Sequence, residues 1–180
     1  MRIISGIYKN RKIKFNNLQT RPTTDFAKES LFNLLNNMYD EFNNISVLDL
    51  FAGTGNISYE FCSRGVTNIT AVDNNKKCID FIRKIKLSLK IGQLDIVFSN
   101  SMQYIGRNKK EYDVIFADPP YSYNDKQYEK LIELIFKKKR VKENGTLIIE
   151  HSKFVKFANH TNIFDTKKYG SVNFSFFKNI

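Results

Sequence analysis

Apolar positions along the chain recur in two rhythms, and the switches between them divide it into elements. Val47, Leu48, Leu50 and Phe51 make residues 46–51 a nearly continuous apolar run, as expected of a strand buried on both faces. A glycine turn and a helix over 56–64 follow. Asn68–Asp73 is a second strand, and the helix over 75–90 after it brings Cys78, Ile82, Ile85 and Leu89 to one face. The alternation continues with a strand over 95–98, a short helix over 101–107 and a strand at Tyr112–Ala117. Next come a helix bearing Tyr128, Leu131, Ile132, Ile135 and Phe136, and a fifth strand over 145–150. Strands that alternate with crossover helices predict a mainly parallel sheet covered on both faces.

The two ends break this rhythm. Residues 163–169 and 172–178 are strand-like runs around Gly170-Ser171, which predicts an antiparallel hairpin. Residues 2–8 and 11–15 read as two short strands around a Lys9-Asn10 turn. Ala27, Leu31, Leu34, Leu35 and Met38 predict an amphipathic helix near 24–39. Its start, Pro22-Thr23-Thr24-Asp25, offers capping hydroxyls and an acid that suits the helix dipole. The expected fold is α/β: a doubly wound, mainly parallel seven-stranded sheet with a C-terminal antiparallel hairpin and an N-terminal β-hairpin plus helix extension. Residues 1–180 are expected to form one domain, with 1–45 as the extension and 46–180 as the core.

Composition adds a partner. The 180 residues are 42% hydrophobic with 16 Phe, enough for one full core. They contain no apolar stretch of about 18 residues and no N-terminal signal run, so a soluble, cytoplasmic protein is expected, with no membrane contact. Cys62 and Cys78 form no CxxC pair, and two histidines are too few for a zinc site, so no metal is expected. Lys and Arg number 29 against 18 acids, a net charge of +11. Residues 1–24 carry Arg2, Lys9, Arg11, Lys12, Lys14 and Arg21 and no acid, a gap that uniform compositional bias does not produce. Such a segment favours a polyanion, and Lys9, Arg11, Lys12, Lys14 and Arg21 are candidate phosphate contacts. The run Lys137-Lys138-Lys139-Arg140 ends a helix in accord with its dipole.

The chemistry lies at the ends of the predicted strands. In Asp49-Leu50-Phe51-Ala52-Gly53-Thr54-Gly55 a strand runs into a glycine turn and a helix, where a nucleotide can approach the backbone. Asp73, at the end of the second strand, has the placement that hydrogen-bonds ribose hydroxyls. Position 58 is Ser where a dinucleotide fingerprint has its third glycine. Asp49 lies inside the strand before the turn, where a carboxylate suits a sulfonium cofactor better than a pyrophosphate. Asn100, after the third strand, reads either as an acceptor for an adenine amino group or as a turn residue.

After the fourth strand comes Asp118-Pro119-Pro120-Tyr121. An exocyclic base amine is a poor nucleophile because its lone pair is delocalised into the ring. The Asp118 carboxylate and the Pro119 carbonyl can accept its two hydrogens and direct the lone pair at a methyl group. The ring of Tyr121 can stack an extruded base, a contact worth about 1–3 kcal/mol. Asp118, Pro119, Pro120 and Tyr121 are therefore the expected catalytic strip. The cofactor set read from these residues is Asp49, Gly53, Gly55, Asp73 and Asn100.

The glycine turn resembles the first motif of class I S-adenosylmethionine-dependent methyltransferases, and the strip resembles their (Asp/Asn/Ser)-Pro-Pro-(Tyr/Phe) motif. Further segments follow in order: Arg2-Ile3-Ile4-Ser5-Gly6, Arg21-Pro22-Thr23-Thr24-Asp25, Glu29-Ser30-Leu31-Phe32-Asn33, Ile149-Glu150-His151-Ser152 and Lys168-Tyr169-Gly170-Ser171. Together they resemble the bacterial RsmD family over essentially the whole chain. The resemblance implies a Rossmann-like fold, S-adenosylmethionine as methyl donor, Phe51 and Thr23 as further cofactor-binding residues, and a cytoplasmic monomer. Its substrate would be N2 of one guanine in 16S ribosomal RNA, within the small ribosomal subunit or an assembly intermediate. Alternatives are an N6-adenine methyltransferase on DNA or RNA, a non-catalytic RNA-binding module, and a small-molecule oxidoreductase. Absence of an added target-recognition region, the intact strip, and Ser58 with the basic N-terminus count against them in turn.

Overall fold

In a computed structural model, which describes residues 1–15, 23–157 and 160–179, the apolar runs pair into one seven-stranded sheet. The strands are β1 (Ser46–Leu50), β2 (Asn68–Asp73), β3 (Leu94–Phe98), β4 (Tyr112–Ala117), β5 (Val141–Ser152), β6 (Ile163–Tyr169) and β7 (Val172–Phe177). Their spatial order is β3-β2-β1-β4-β5-β7-β6; the first five are parallel, and β7 is antiparallel to both β5 and β6. The order reverses between β1 and β4, and such a reversal opens a crevice at the carboxyl ends of the strands. The helices are α1 (Asp25–Met38), α2 (Asn56–Ser63), α3 (Lys76–Ser88), α4 (Ser101–Arg107) and α5 (Asp125–Lys137).

Alternation along the strands sorts side chains to two cores. Val47, Ile69, Val114, Phe116, Ile148 and Phe174 pack with α1, α2 and α3, whereas Leu48, Val72, Ile115, Leu147, Ile149 and Phe177 pack with α4 and α5. The expected α/β sheet with its terminal hairpin is therefore the fold. Fixed caps start the helices: Thr24 Oγ1 accepts from the Ala27 N–H at 3.2 Å, and Asn124 with Gln127 forms a capping box on α5. Strand β5 begins earlier than expected, at Val141, because Tyr112 pairs with Val141 before the register shifts to Val114 with Thr146. Among the described residues no helix is long and apolar enough to cross a membrane.

Residues 1–15 correct the reading of a hairpin with strands over 2–8 and 11–15. Their antiparallel pairing is a single bridge between Arg2 and Lys12, with the Ile3 N–H donating to the Arg11 carbonyl at 3.0 Å. Donors that would extend it are taken elsewhere. The Ile4 and Ser5 N–H groups donate to the Glu60 carboxylate at 2.8 and 3.1 Å, and the Ile7 N–H donates to the Ser63 carbonyl at 2.8 Å. Gly6 makes this docking possible: it turns at φ +82°, and a Cβ there would fall 1.7 Å from the Ser63 carbonyl oxygen.

A buried charge network completes the attachment. Lys28 of α1 donates from Nζ to the Arg2 carbonyl at 2.7 Å and to Asn56 Oδ1 at 2.8 Å. It lies 3.4 Å from Glu60, which also holds Arg64 at 2.8 Å. Burial lowers the Lys28 pKa even though Glu60 and Asp25 raise it. Removing one partner of such a network leaves the other charge buried and alone, at a cost of about 3–5 kcal/mol.

Candidate active site

The chain leaves β1 through a run of left-handed residues: Phe51 at φ +63°, Gly53 at +53° and Gly55 at +78°. Phe51 takes this conformation at a cost of about 1–3 kcal/mol, and its ring packs edge-on against Tyr123 at 5.7 Å. At Gly55 a Cβ would fall 2.7 Å from the Tyr59 ring, so glycine is required for α2 to start here. The turn leaves the backbone open to a cleft of about 410 Å³.

Ends of β1, β2 and β4 line this cleft, together with Thr23 from ahead of α1 and Asn56 and Ile57 from the start of α2. Asp73 accepts from the Gly53 N–H and the Asn75 N–H, both at 2.7 Å. One carboxylate thus fixes the glycine turn and the N-terminal approach to α3. Asp49 accepts from the Ser58 hydroxyl at 2.6 Å and the Ser58 N–H at 3.1 Å. Burial nevertheless raises its pKa to about 7, with smaller contributions from Asp73 and Glu150.

Asp118 emerges from β4 half-buried, and among the described residues no donor reaches its carboxylate. Burial raises its pKa well above the ordinary carboxylate value, and the charges of Glu150 and Asp49 add to the rise. Glu150, level with it on β5, accepts a 2.6 Å hydrogen bond from the Thr23 hydroxyl. The Thr23 carbonyl accepts from Asn56 Nδ2 at 3.0 Å, so the segment before α1 is tied to both sides of the cleft. Pro119 is buried and Pro120 exposed, and the Tyr121 ring is 61% exposed at the mouth. Among the described lining residues, three are acids and none is Lys or Arg. No group of three or more His, Cys, Asp or Glu among the described residues could hold a metal ion.

The cleft gathers Thr23, Asp49, Phe51, Gly53, Asp73, Asp118, Pro119, Pro120 and Tyr121 from the expected set. Gly55 lies just behind as the N-cap of α2. Asn100 has the turn role of its two readings: its Oδ1 caps α4, accepting from the Met102 and Gln103 N–H groups at 2.9 and 3.2 Å, and it does not line the cleft. Lys9, Arg11, Lys12 and Lys14 are exposed on the N-terminal segment and do not line the cleft, and Lys12 and Lys14 border a second depression with Arg2 and Asp25. Arg21 lies outside the described residues. Asn56, Ile57, Asn74, Asn75 and Cys78 line the cleft without having been expected. Asn75 was open to discovery, since an Asn after a strand-ending Asp and before an apolar helix is a cap signal. Asn56 follows the glycine turn but carries no comparable mark.

Comparisons with known proteins agree over nearly the full chain. The family described as Conserved hypothetical protein 95 matches residues 1–178. Ribosomal RNA small subunit methyltransferase D of Buchnera aphidicola is 31% identical over 185 aligned positions, covering 100% of this chain and 92% of that protein. The solved structure of yhhF from Escherichia coli superposes with a TM-score of 0.83 at 26% identity, covering 98% of this chain and 96% of that one. SMU.776, solved as a complex with SAH, shares the fold at 18% identity and a TM-score of 0.63, covering 82% of this chain and 48% of that one.

Proposed function

The chain belongs to the RsmD family, and on that premise we propose that it transfers a methyl group from S-adenosylmethionine to the exocyclic N2 amine of one guanine in 16S ribosomal RNA. The observation that carries this reading is the cleft itself: acid-lined, with no Lys or Arg among its described residues, in a protein of net charge +11. Such a cleft suits a cationic ligand and opposes a pyrophosphate. S-adenosylmethionine, when bound, supplies the methyl group on a positively charged sulfur. The residues present fit it: the open backbone at Gly53 receives it closely, Gly55 lets α2 start directly behind, Asp49 faces its cationic part, and Asp73 keeps lone pairs for ribose hydroxyls.

At the other end of the cleft the chain's own groups orient the acceptor. The Asp118 carboxylate and the Pro119 carbonyl take the two amine hydrogens, and the nitrogen lone pair is left aimed along the transfer axis. Tyr121 stacks the extruded base. The proton leaves the product nitrogen for Asp118 or for water. Orientation accounts for most of the acceleration, because the reacting atoms are brought in line by groups already in place. Lys9, Arg11, Lys12, Lys14 and Arg21 of the N-terminal extension hold RNA phosphates, within the small subunit or an assembly intermediate, and the protein works as a cytoplasmic monomer.

The test is incubation with labelled S-adenosylmethionine and small-subunit particles lacking the modification, followed by nucleoside mapping. Label is expected in N2-methylguanosine. Label in N6-methyladenosine would overturn the guanine assignment, and cofactor binding without any transfer to RNA would overturn catalysis.

A further inference from the structure

The C-terminal hairpin and the loop after β5 have no part in the chemistry above, yet they end beside it. Register fixes where. Ala117 at the end of β4 pairs with Ile149, and β5 continues to Ser152, which pairs with Val172 of β7. Val172 in turn pairs with Tyr169 of β6. The β5 loop and the hairpin tip therefore lie at the same edge of the sheet as Asp118 and Tyr121, on the side leading away from β1. At this edge Phe154 is 81% exposed, with Lys153 Nζ 5.2 Å from its ring centre. Phe26 of α1 is 68% exposed and meets the Tyr169 ring at 6.1 Å, edge to face. Lys153, Lys156 and Lys168 are exposed, and none is within ion-pair distance of a carboxylate among the described residues.

Such a ring is not simply left over on a loose loop. The Val155 N–H donates to the Ser152 carbonyl at 3.2 Å, closing a turn with Phe154 inside it. Phe157, three residues on, is buried against His151 at 4.9 Å and Phe177 at 5.4 Å. The turn is anchored on both sides while its largest apolar side chain faces water. Exposed aromatics interleaved with unpaired cations are what a single strand of nucleic acid requires: rings for base stacking, ammonium groups for phosphates.

We infer that Lys153, Phe154, Lys156, Lys168, Tyr169 and Phe26 form a second RNA-binding rim, which stacks and holds nucleotides flanking the target base on the hairpin side of the catalytic strip. This rests on the proposed RNA substrate. The rim and the basic N-terminal segment then grip the strand at separate places, and the base between them is presented to Tyr121 and Asp118.

The experiment measures binding of an unmodified small-subunit RNA transcript, and methyl transfer to unmodified small-subunit particles, for the unaltered protein and its variants. Phe154→Ala should weaken RNA binding and raise the RNA KM about tenfold, with kcat, cofactor affinity and Tm unchanged, and Phe154→Tyr should restore binding. The triple variant Lys153→Ala, Lys156→Ala, Lys168→Ala should flatten the slope of log affinity against log salt by about 0.7 for each phosphate no longer neutralised. RNA affinity and salt slope identical to the unaltered protein would overturn the rim. Losses confined to particles, with normal binding of the naked transcript, would assign this edge to a protein of the particle and equally overturn it. The unaltered protein's failure to transfer methyl groups would be the failure of the enzymatic reading instead, and transcript binding would still decide the rim.

Discussion

On the β1–β2 side of the cleft each carboxylate is held by donors of the protein: Asp73 by the Gly53 and Asn75 N–H groups, Asp49 by the Ser58 hydroxyl and N–H. On the β4–β5 side Asp118 has no such donor among the described residues and faces the charges of Glu150 and Asp49. Both acids of the first wall are thus engaged before any ligand arrives, whereas among the described residues Asp118 keeps its acceptor capacity. A wall satisfied by backbone donors suits a cofactor that must be bound in one pose in every cycle. An acid with acceptor capacity to spare, such as Asp118, suits a substrate that brings its own N–H groups. The same group, a carboxylate, is held fast on one side and left open to a ligand on the other by what surrounds it.

Substituting the two acids separately is the sharpest way to break this contrast. Asp118→Ala should lower kcat about 10²–10⁴-fold while leaving the cofactor Kd as it was, measured by single-turnover transfer and calorimetry. Asp73→Ala should do the reverse. It loses the ribose acceptor and frees the Gly53 N–H, so cofactor affinity should fall about 10- to 100-fold and kcat should recover at saturating cofactor. If both variants lost affinity and turnover alike, the two walls would form one undivided site.

Acidity separates the walls by a smaller amount. Asp49, raised by burial to about 7, is largely protonated below that value and charged above it. A cationic ligand favours the charged form, so S-adenosylmethionine should bind more tightly as pH rises through about 7, by up to tenfold per unit below it. Binding near pH 7 should also release protons, seen as a dependence of the calorimetric heat on buffer ionisation. Asp49→Asn should flatten both effects. Stability runs the other way: the folded pKa lies above the unfolded value near 3.8, so this carboxyl stabilises the fold less as pH climbs from about 4 to 7. Asp49→Asn should therefore raise Tm more at pH 8 than at pH 5.

What could be read in the sequence follows the same division between local and distant causes. The β1–β5 alternation, the glycine turn, Asp73 and the catalytic strip are legible because each depends on a few adjacent residues and a strand ahead of them. The hairpin expected over 2–15 failed for the opposite reason: the partners of Ile4, Ser5 and Ile7 are Glu60 and Ser63, more than fifty residues away. Lys28 was invisible as a core residue because a lysine on a helix reads as solvated until Glu60 and Asn56 are brought beside it. Glu150 was named only as part of a resemblance, since its partner Thr23 lies 127 positions away. Asn100 carries two readings because a residue after a strand can serve a ligand or cap the next helix, and of these the fold displays the cap.

The Thr23 hydroxyl offers the finest division of all, because it reaches from the N-terminal extension to the β4–β5 wall. Thr23→Val keeps the shape of the side chain and deletes the 2.6 Å hydrogen bond to Glu150. The Asn56 bond to the Thr23 carbonyl and the Lys28–Glu60 network do not involve that hydroxyl and should persist. The expected loss is therefore one charge-assisted hydrogen bond, about 1–2 kcal/mol, or a fall in Tm of about 2–8 °C. If this bond aligns the extension with the catalytic strip, the RNA KM should rise a few-fold at unchanged cofactor Kd, since the β1–β2 wall is untouched. A lowered Tm with an unchanged KM would make the bond purely structural. No change in either would mean that the buried network alone holds the extension in place, and that the two walls are joined only through the sheet.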